Sequence, residues 1–227
     1  MTKSKRINYK KLPIININNV DVDINNNKVL RSLNWQLRSD DHWAIIGSNG
    51  SGKTSFLKLI SGTLWPKPGS GTRRYNFDGK THTDAVEALK RISVVSHELQ
   101  DSYANLGWDF KAIDIVISGI KKTNIPRLES SPADYIRARS YLRKLGLTKL
   151  NEKPFLELSR GQQRRILIAR ALAFNPKVLI LDEPVAGLDK EARKSLRNII
   201  ELISSRIITI CSYHNDKDLP INTNNLL

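Results

Sequence analysis

Eight residues, Gly47-Ser48-Asn49-Gly50-Ser51-Gly52-Lys53-Thr54, constrain this chain more than any other segment. They fit G-x-x-x-x-G-K-[ST], the pattern of a phosphate-binding loop. The apolar run His42-Trp43-Ala44-Ile45-Ile46 before them reads as a buried strand. Residues 53–60 after them, with Phe56, Leu57, Leu59 and Ile60, read as a helix. That strand, loop and helix are the setting the pattern needs. Glycines let the backbone wrap closely around phosphate oxygens. The turn then aims several N–H groups, and the positive end of the helix, at the anion. Residues Gly47 to Ser55 are therefore predicted to hold a nucleoside triphosphate, with Lys53 on the β- and γ-phosphates and the Thr54 hydroxyl on Mg²⁺.

A second signal lies at Val178-Leu179-Ile180-Leu181-Asp182-Glu183-Pro184. A short, wholly apolar strand of this kind is buried on both faces of a parallel sheet. The two acids after it fall at the strand's carboxyl end, where open α/β sheets bind their ligands. Asp182 is predicted to hold Mg²⁺, directly or through water. Glu183 is predicted to orient and polarise the attacking water, a role in which a placed carboxylate contributes roughly 10²–10⁴-fold.

The rest of the chain fits around these two signals. Its 227 residues suffice for one large domain with a sub-domain. No apolar run approaches the roughly 20 residues that cross a bilayer. The basic start is followed by no apolar signal segment, so a cytoplasmic location is expected, including the inner face of a membrane. Cys211, the single cysteine, lies in an apolar run and is expected to be a buried thiol. The net charge of +15 favours anionic partners. Its charges are scattered, however, over 3–11, Arg73-Arg74, Lys121-Lys122, 137–144 and Arg164-Arg165, and read as a solvated basic surface.

Residues 1–12 are predicted to be a loose basic arm and 13–227 a single domain. Strands are expected at 14–24, with a slip near Asn18-Asn19, and at 29–37, joined by a turn at Asn25-Asn26-Asn27. Further strands are expected at 75–77, 92–95, 178–181 and 207–211. Helices are expected at 134–145, 161–174 and 190–203, the last with a clear apolar stripe. Alternating strands and helices at both ends give an α/β fold: a mostly parallel sheet flanked by helices, over about 13–97 and 166–227, with an antiparallel portion near the N-terminus. Residues 98–165 read as a helical sub-domain inserted into it.

A third signal, Leu158-Ser159-Arg160-Gly161-Gln162, precedes a helix. The order phosphate loop, L-S-x-G-Q, hydrophobic-D-E-P, Gly187-Leu188-Asp189, then His214 after a strand resembles the ATP-binding cassette family over roughly residues 14–214. The resemblance implies ATP hydrolysis with Mg²⁺ in a head-to-tail dimer, as a homodimer or heterodimer. It implies that Ser159, Arg160, Gly161 and Gln162 face the nucleotide held by the partner's Lys53 loop. Asp189 would couple the two sites, and His214 would contact the γ-phosphate. Ser159 also suits this role physically, because it would cap the helix and helix N-termini attract anions.

Three departures stand out. Where the family has a Gln on Mg²⁺ after the 92–95 strand, this chain offers His97 or Gln100. Ile24 stands where an aromatic residue usually stacks on adenine. Arg160 replaces a glycine. His42-Trp43 and the segment 96–100 look similar to small cassettes of molybdate-type transport or stand-alone, repair-like ATPases. Of the roles the family allows, the energy-coupling subunit of a transporter, with a separate transmembrane subunit, comes first. A soluble cassette acting on nucleic acid or ribosomes comes second, and an ATP-binding module without useful hydrolysis third.

Overall fold

Alternation of apolar with Asn and Asp residues makes the first hairpin. In the computed structural model, which describes residues 12–105, 110–123, 125–126, 129–215 and the backbone of 225–226, β1 (Ile15–Ile24) buries Ile15, Ile17, Val20 and Val22 on one face. The predicted basic arm lies, apart from Leu12, outside the described residues. β1 pairs antiparallel with β2 (Asn27–Leu37) through Asn25 and Asn26, both at positive φ, a region asparagine tolerates. The slip expected at Asn18-Asn19 is a register shift between Ile17 and Val20. β3 (Trp43–Ile46) and α1 (Lys53–Ser61) flank the glycine-rich loop. β4 (Thr72–Phe77) and β5 (Lys80–His82) complete a four-stranded sheet of order β2-β1-β4-β5.

After α2 (Val86–Arg91) and β6 (Ile92–Val95) come four helices: α3 (His97–Asn105), α4 (Ala112–Ile120), α5 (Pro132–Lys144) and α6 (Arg160–Ala173). The chain then returns through β7 (Val178–Leu181), α7 (Lys190–Ser204), β8 (Ile208–Tyr213) and β9 (Asn225–Leu226). The second sheet has the order β6-β7-β8-β3-β9, and each described pairing in it is parallel. β7 is buried along its whole length, as a central parallel strand must be. The expected α/β architecture is thus present, with its antiparallel sheet near the N-terminus and its helices between β6 and β7.

Two apolar cores hold this together. One packs β1, β2 and β4 against α1 and one face of the parallel sheet. The other packs α4, α5 and α6 against the opposite face and α7. Ile113, Ile115 and Val116 of α4 and Ile166, Leu167 and Ile168 of α6 are fully enclosed, each such side chain contributing about 1.5–3 kcal/mol of transfer free energy. Cys211 lies inside this second core, and burial pushes its thiol up to about 12.

Two of the residues assigned to a solvated basic surface are buried instead. Arg73 is enclosed because its guanidinium bonds Leu59 O and Leu64 O at the C-terminal end of α1, and it packs over the rings of Trp65 and Tyr75. A cation is favourable at a helix C-terminus. Arg164 is 1% exposed, and its partners belong to the site.

Candidate active site

β3 and α1 deliver the glycine-rich loop. Gly52 caps α1 at φ 95°, a conformation that side-chain-bearing residues rarely adopt. A Cβ on Gly47 would stand 2.5 Å from Ser51 Oγ. The first intrahelical bond of α1 is Phe56 N–H to Gly52 O at 2.8 Å, so the N–H groups of the opening turn face the loop. Lys53 is almost buried and arches back across the loop, donating to Gly47 O at 2.7 Å and Ser48 O at 3.0 Å. The cavity beside it, about 210 Å³, is lined by Val29, Asn49, Gly50, Gly52, Lys53, Thr54, Ser55 and Glu183. Ile24 does not line this cavity. Val29, which sequence reasoning missed, is its one aliphatic wall.

The carboxyl ends of β7 and β8 bring the acids to the same place. Thr54 Oγ1 donates to Asp182 Oδ2 at 2.9 Å. Ser212 Oγ donates to Asp182 Oδ1 at 2.5 Å and accepts the Glu183 N–H at 2.8 Å. The Glu183 carboxylate lies between two cations or potential cations, with Oε1 3.4 Å from Lys53 Nζ and Oε2 3.1 Å from His214 Nε2. Lys53, Thr54, Asp182, Glu183 and His214 are therefore one cluster, drawn from three separate segments of the chain. Ser212 also belongs to it and was not anticipated. Its signal was a serine in an otherwise largely apolar strand, where a buried hydroxyl needs partners.

The paired oxygens of Thr54 and Asp182 fit Mg²⁺, a hard cation held by one or two protein oxygens together with phosphate oxygens and water. Among the described residues no cluster of three or more His, Cys, Asp or Glu could hold a metal.

Ser159, Arg160, Gly161, Gln162 and Asp189 do not line the cavity. They open two neighbouring helices. Ser159 caps α6 in a reciprocal box, its Oγ accepting Gln162 N–H at 3.3 Å while its own N–H donates to Gln162 Oε1 at 3.1 Å. Asp189 caps α7, accepting Ala192 N–H at 2.8 Å. Gly161 allows the two helix starts to touch, since a Cβ there would be 3.1 Å from Ala192 Cβ.

The two residues offered for the missing Gln both meet Arg164. Gln100 is buried, accepts Arg164 Nε at 2.8 Å and donates to Gln163 Oε1 at 2.9 Å and Arg160 O at 3.3 Å. Its amide is thus engaged on α6. His97 presents Nδ1 to Arg164 Nη2 at 2.8 Å. Burial, with Arg164 beside it, holds the His97 imidazole below its usual range and so keeps it neutral. Arg164 itself was read as surface charge and, with Val29 and Ser212, is the third residue that sequence reasoning missed. Its signal was helical spacing, which sets it on the same face of α6 as Leu167 and Ile168.

Comparison with known proteins gives a consistent answer. The family model described as ABC transporter matches residues 30–186. The ABC transporter ATP-binding protein YmeB of Lactococcus lactis is 31% identical over 220 residues, covering 95% of this chain and 83% of that protein. The energy-coupling factor transporter ATP-binding protein EcfA1 of Fusobacterium nucleatum is 27% identical over 207 residues, covering 91% of this chain and 75% of that one. Among solved structures, cbiO1 from Clostridium perfringens, described as part of the ABC transporter complex cbiONQ, superposes with a TM-score of 0.76 at 25% identity, over 94% of this chain and 83% of that one.

Proposed function

Because this chain belongs to the ABC transporter family of ATPases, we propose that it is the energy-coupling subunit of a membrane transporter, hydrolysing MgATP in a head-to-tail dimer with Glu183 as general base. The observation that carries the reading is the position of the Glu183 carboxylate, between Lys53 and His214 and next to Thr54 and Asp182. Nucleotide in the Lys53 loop would place its γ-phosphate at that carboxylate. Glu183 then accepts a proton from water as the water oxygen attacks phosphorus and the bond to the β-phosphate oxygen breaks. Lys53 and the helix N-terminus stabilise the charge that collects on the phosphate oxygens. Thr54 and Asp182 would hold Mg²⁺, which supplies further neutralisation of that charge when bound. His214 orients the carboxylate and reaches the γ-phosphate. Ser159 and Gly161 of the partner subunit close the site from the other side.

No helix among the described residues is long and apolar enough to cross a membrane, and the proposed role pairs the chain with a transmembrane subunit. A cleft of about 520 Å³ suits its docking. Leu57, Leu89, Leu99 and Phe174 give it apolar walls, and the Lys58–Glu98 ion pair stands at its polar rim. Its inner end reaches Thr54 and Asp182, so a segment seated there lies next to the metal-holding oxygens. The helical sub-domain, about 98–165, supplies one side of it.

The decisive experiment compares ATP turnover of the wild type with Glu183→Gln and Lys53→Ala. Turnover is expected to fall roughly 10²–10⁴-fold in Glu183→Gln with ATP binding kept, and binding to be lost in Lys53→Ala. Comparable turnover in Glu183→Gln rejects the base. Capture of partners by Glu183→Gln with MgATP from gently solubilised cells tests the transport role. A stoichiometric integral-membrane protein supports it. Nucleic acid that releases steeply with salt instead favours the second reading, to which the +15 charge points.

A further inference from the structure

We infer that Arg164 is a positioning residue for hydrolysis: it holds the main chain of Glu183 and ties the carboxylate's position to the helix that begins at Ser159. The inference rests on the reading of Glu183 as base. A guanidinium buried to 1% exposure is unfavourable unless its donors are satisfied. Here they go to three neutral acceptors on two other elements. Nε reaches Gln100 Oε1 at 2.8 Å, Nη2 reaches His97 Nδ1 at 2.8 Å, and Nη1 reaches Glu183 O at 3.2 Å. Burial brings the guanidinium down to about 10, still charged at neutral pH. Only a flat fork with donors at fixed angles satisfies three such acceptors at once.

Glu183 needs this support. It sits at φ 50°, a region that residues with side chains occupy only where the surroundings enforce it. Both of its main-chain polar groups are reached by side chains from other elements: the N–H by Ser212 of β8 and the C=O by Arg164 of α6, the C=O also accepting the local Ala186 N–H at 3.2 Å. Arg164 lies five residues after Ser159 on the same helix. Any displacement of α6 when its N-terminus meets an anion is therefore passed to the Glu183 backbone through one hydrogen bond. His97 and Gln100 brace the fork from α3 and keep it aimed.

The test measures kcat and ATP affinity for Arg164→Lys, alone and in the Glu183→Gln background. Arg164→Lys is expected to lower kcat about tenfold to a hundredfold, the range for a misplaced catalytic group. ATP affinity is expected to stay within about twofold, because the phosphate loop does not touch Arg164. In the Glu183→Gln background the same substitution is expected to remove nothing further from the residual turnover. An equal fractional loss in both backgrounds overturns the inference, as does unchanged kcat, or lost ATP affinity with kcat kept. Should Arg164→Lys fail to fold, Gln100→Met removes the acceptor for Nε and reads the same pattern with a smaller loss. Glu183→Gln with wild-type turnover defeats the base itself. An inactive Glu183→Gln beside a fully active Arg164→Lys defeats only the positioning role.

Discussion

Helices α5 and α6 begin with the same device and are left in opposite electrostatic states. Each has a serine cap in a reciprocal box with the residue three positions on, Ser131 with Asp134 and Ser159 with Gln162. On α5 the third residue is an acid, and Lys121 Nζ lies 2.8 Å from its carboxylate. The positive end of that helix already has its counter-charge, and the counter-charge has its own partner. On α6 the third residue is neutral and no acid stands in the first turn. Arg160 adds positive charge, offset only by the exposed Asp101 carboxylate 3.7 Å away on α3, and Gly161 adds no side chain. Two helix starts with equal capping thus differ in what they leave for others. The first is complete within the chain. The second keeps the N–H groups that its cap leaves unpaired, and its share of the helix dipole, for an anion brought from outside, as the proposed partner nucleotide would be.

The sharpest way to break this contrast is to give α6 the acid that α5 has. Gly161→Asp places a carboxylate in the first turn, and Gly161→Ala serves as its control, since both add a Cβ 3.1 Å from Ala192 Cβ. Gly161→Asp is expected to lower ATP turnover at least about tenfold beyond Gly161→Ala, the factor that corresponds to about 1.4 kcal/mol. Melting temperatures of the two should be close, because an acid near a helix N-terminus is itself stabilising. Equal turnover in the two variants would mean that no anion meets this helix end.

A second, smaller effect separates capping from binding. Ser131→Ala and Ser159→Ala each remove a cap of about 1 kcal/mol, a drop in melting temperature of roughly 2–4 °C for a chain of this size. Only Ser159→Ala is expected to change turnover as well. If Ser131→Ala lowers turnover per folded molecule by the same factor, the two helix starts are functionally alike and the comparison fails.

What could be read from the sequence follows the same division between local and assembled features. The strand and helix around the glycine-rich loop, the acids Asp182 and Glu183 at a strand end, the Ser159 cap and the apolar strands 92–95 and 178–181 are written in contiguous residues, and these elements form as expected. The hairpin slip at Asn18-Asn19 was visible as broken alternation. Elements without a pattern of their own were not visible. β5 is three residues long, α2 keeps Val86 and Leu89 exposed, and β9 owes its strand form to pairing with β3. The supports of the site were hidden for another reason. Ser212 and Arg164 act through residues 29 and 19 positions away on other elements. A serine in an apolar strand and an arginine in a basic pair look ordinary until the fold supplies their partners.

The smallest expected effect tests the α5 side of the comparison through pH. Its hydrogen bond with Lys121, with those from Ser131, holds the Asp134 carboxyl at about 2 against an ordinary value of 3.8. A carboxyl whose folded value lies below its unfolded value contributes stability in full above the unfolded value, and loses it as pH falls through the folded one. Asp134→Asn lacks that contribution at every pH. The melting temperature of the wild type is therefore expected to exceed that of Asp134→Asn at pH 5, and the gap to close between about pH 4 and pH 2. Because Lys121 is more than a third exposed, although Asp134 itself is largely covered, the gap should be no more than about 2 °C and should shrink in high salt. ATP turnover at neutral pH is expected to be the same in both proteins, because this helix end holds its own charge. A gap that persists unchanged at pH 2 would show that the amide loses packing rather than charge. The counter-charge on α5 would then have no part in the difference between the two helices.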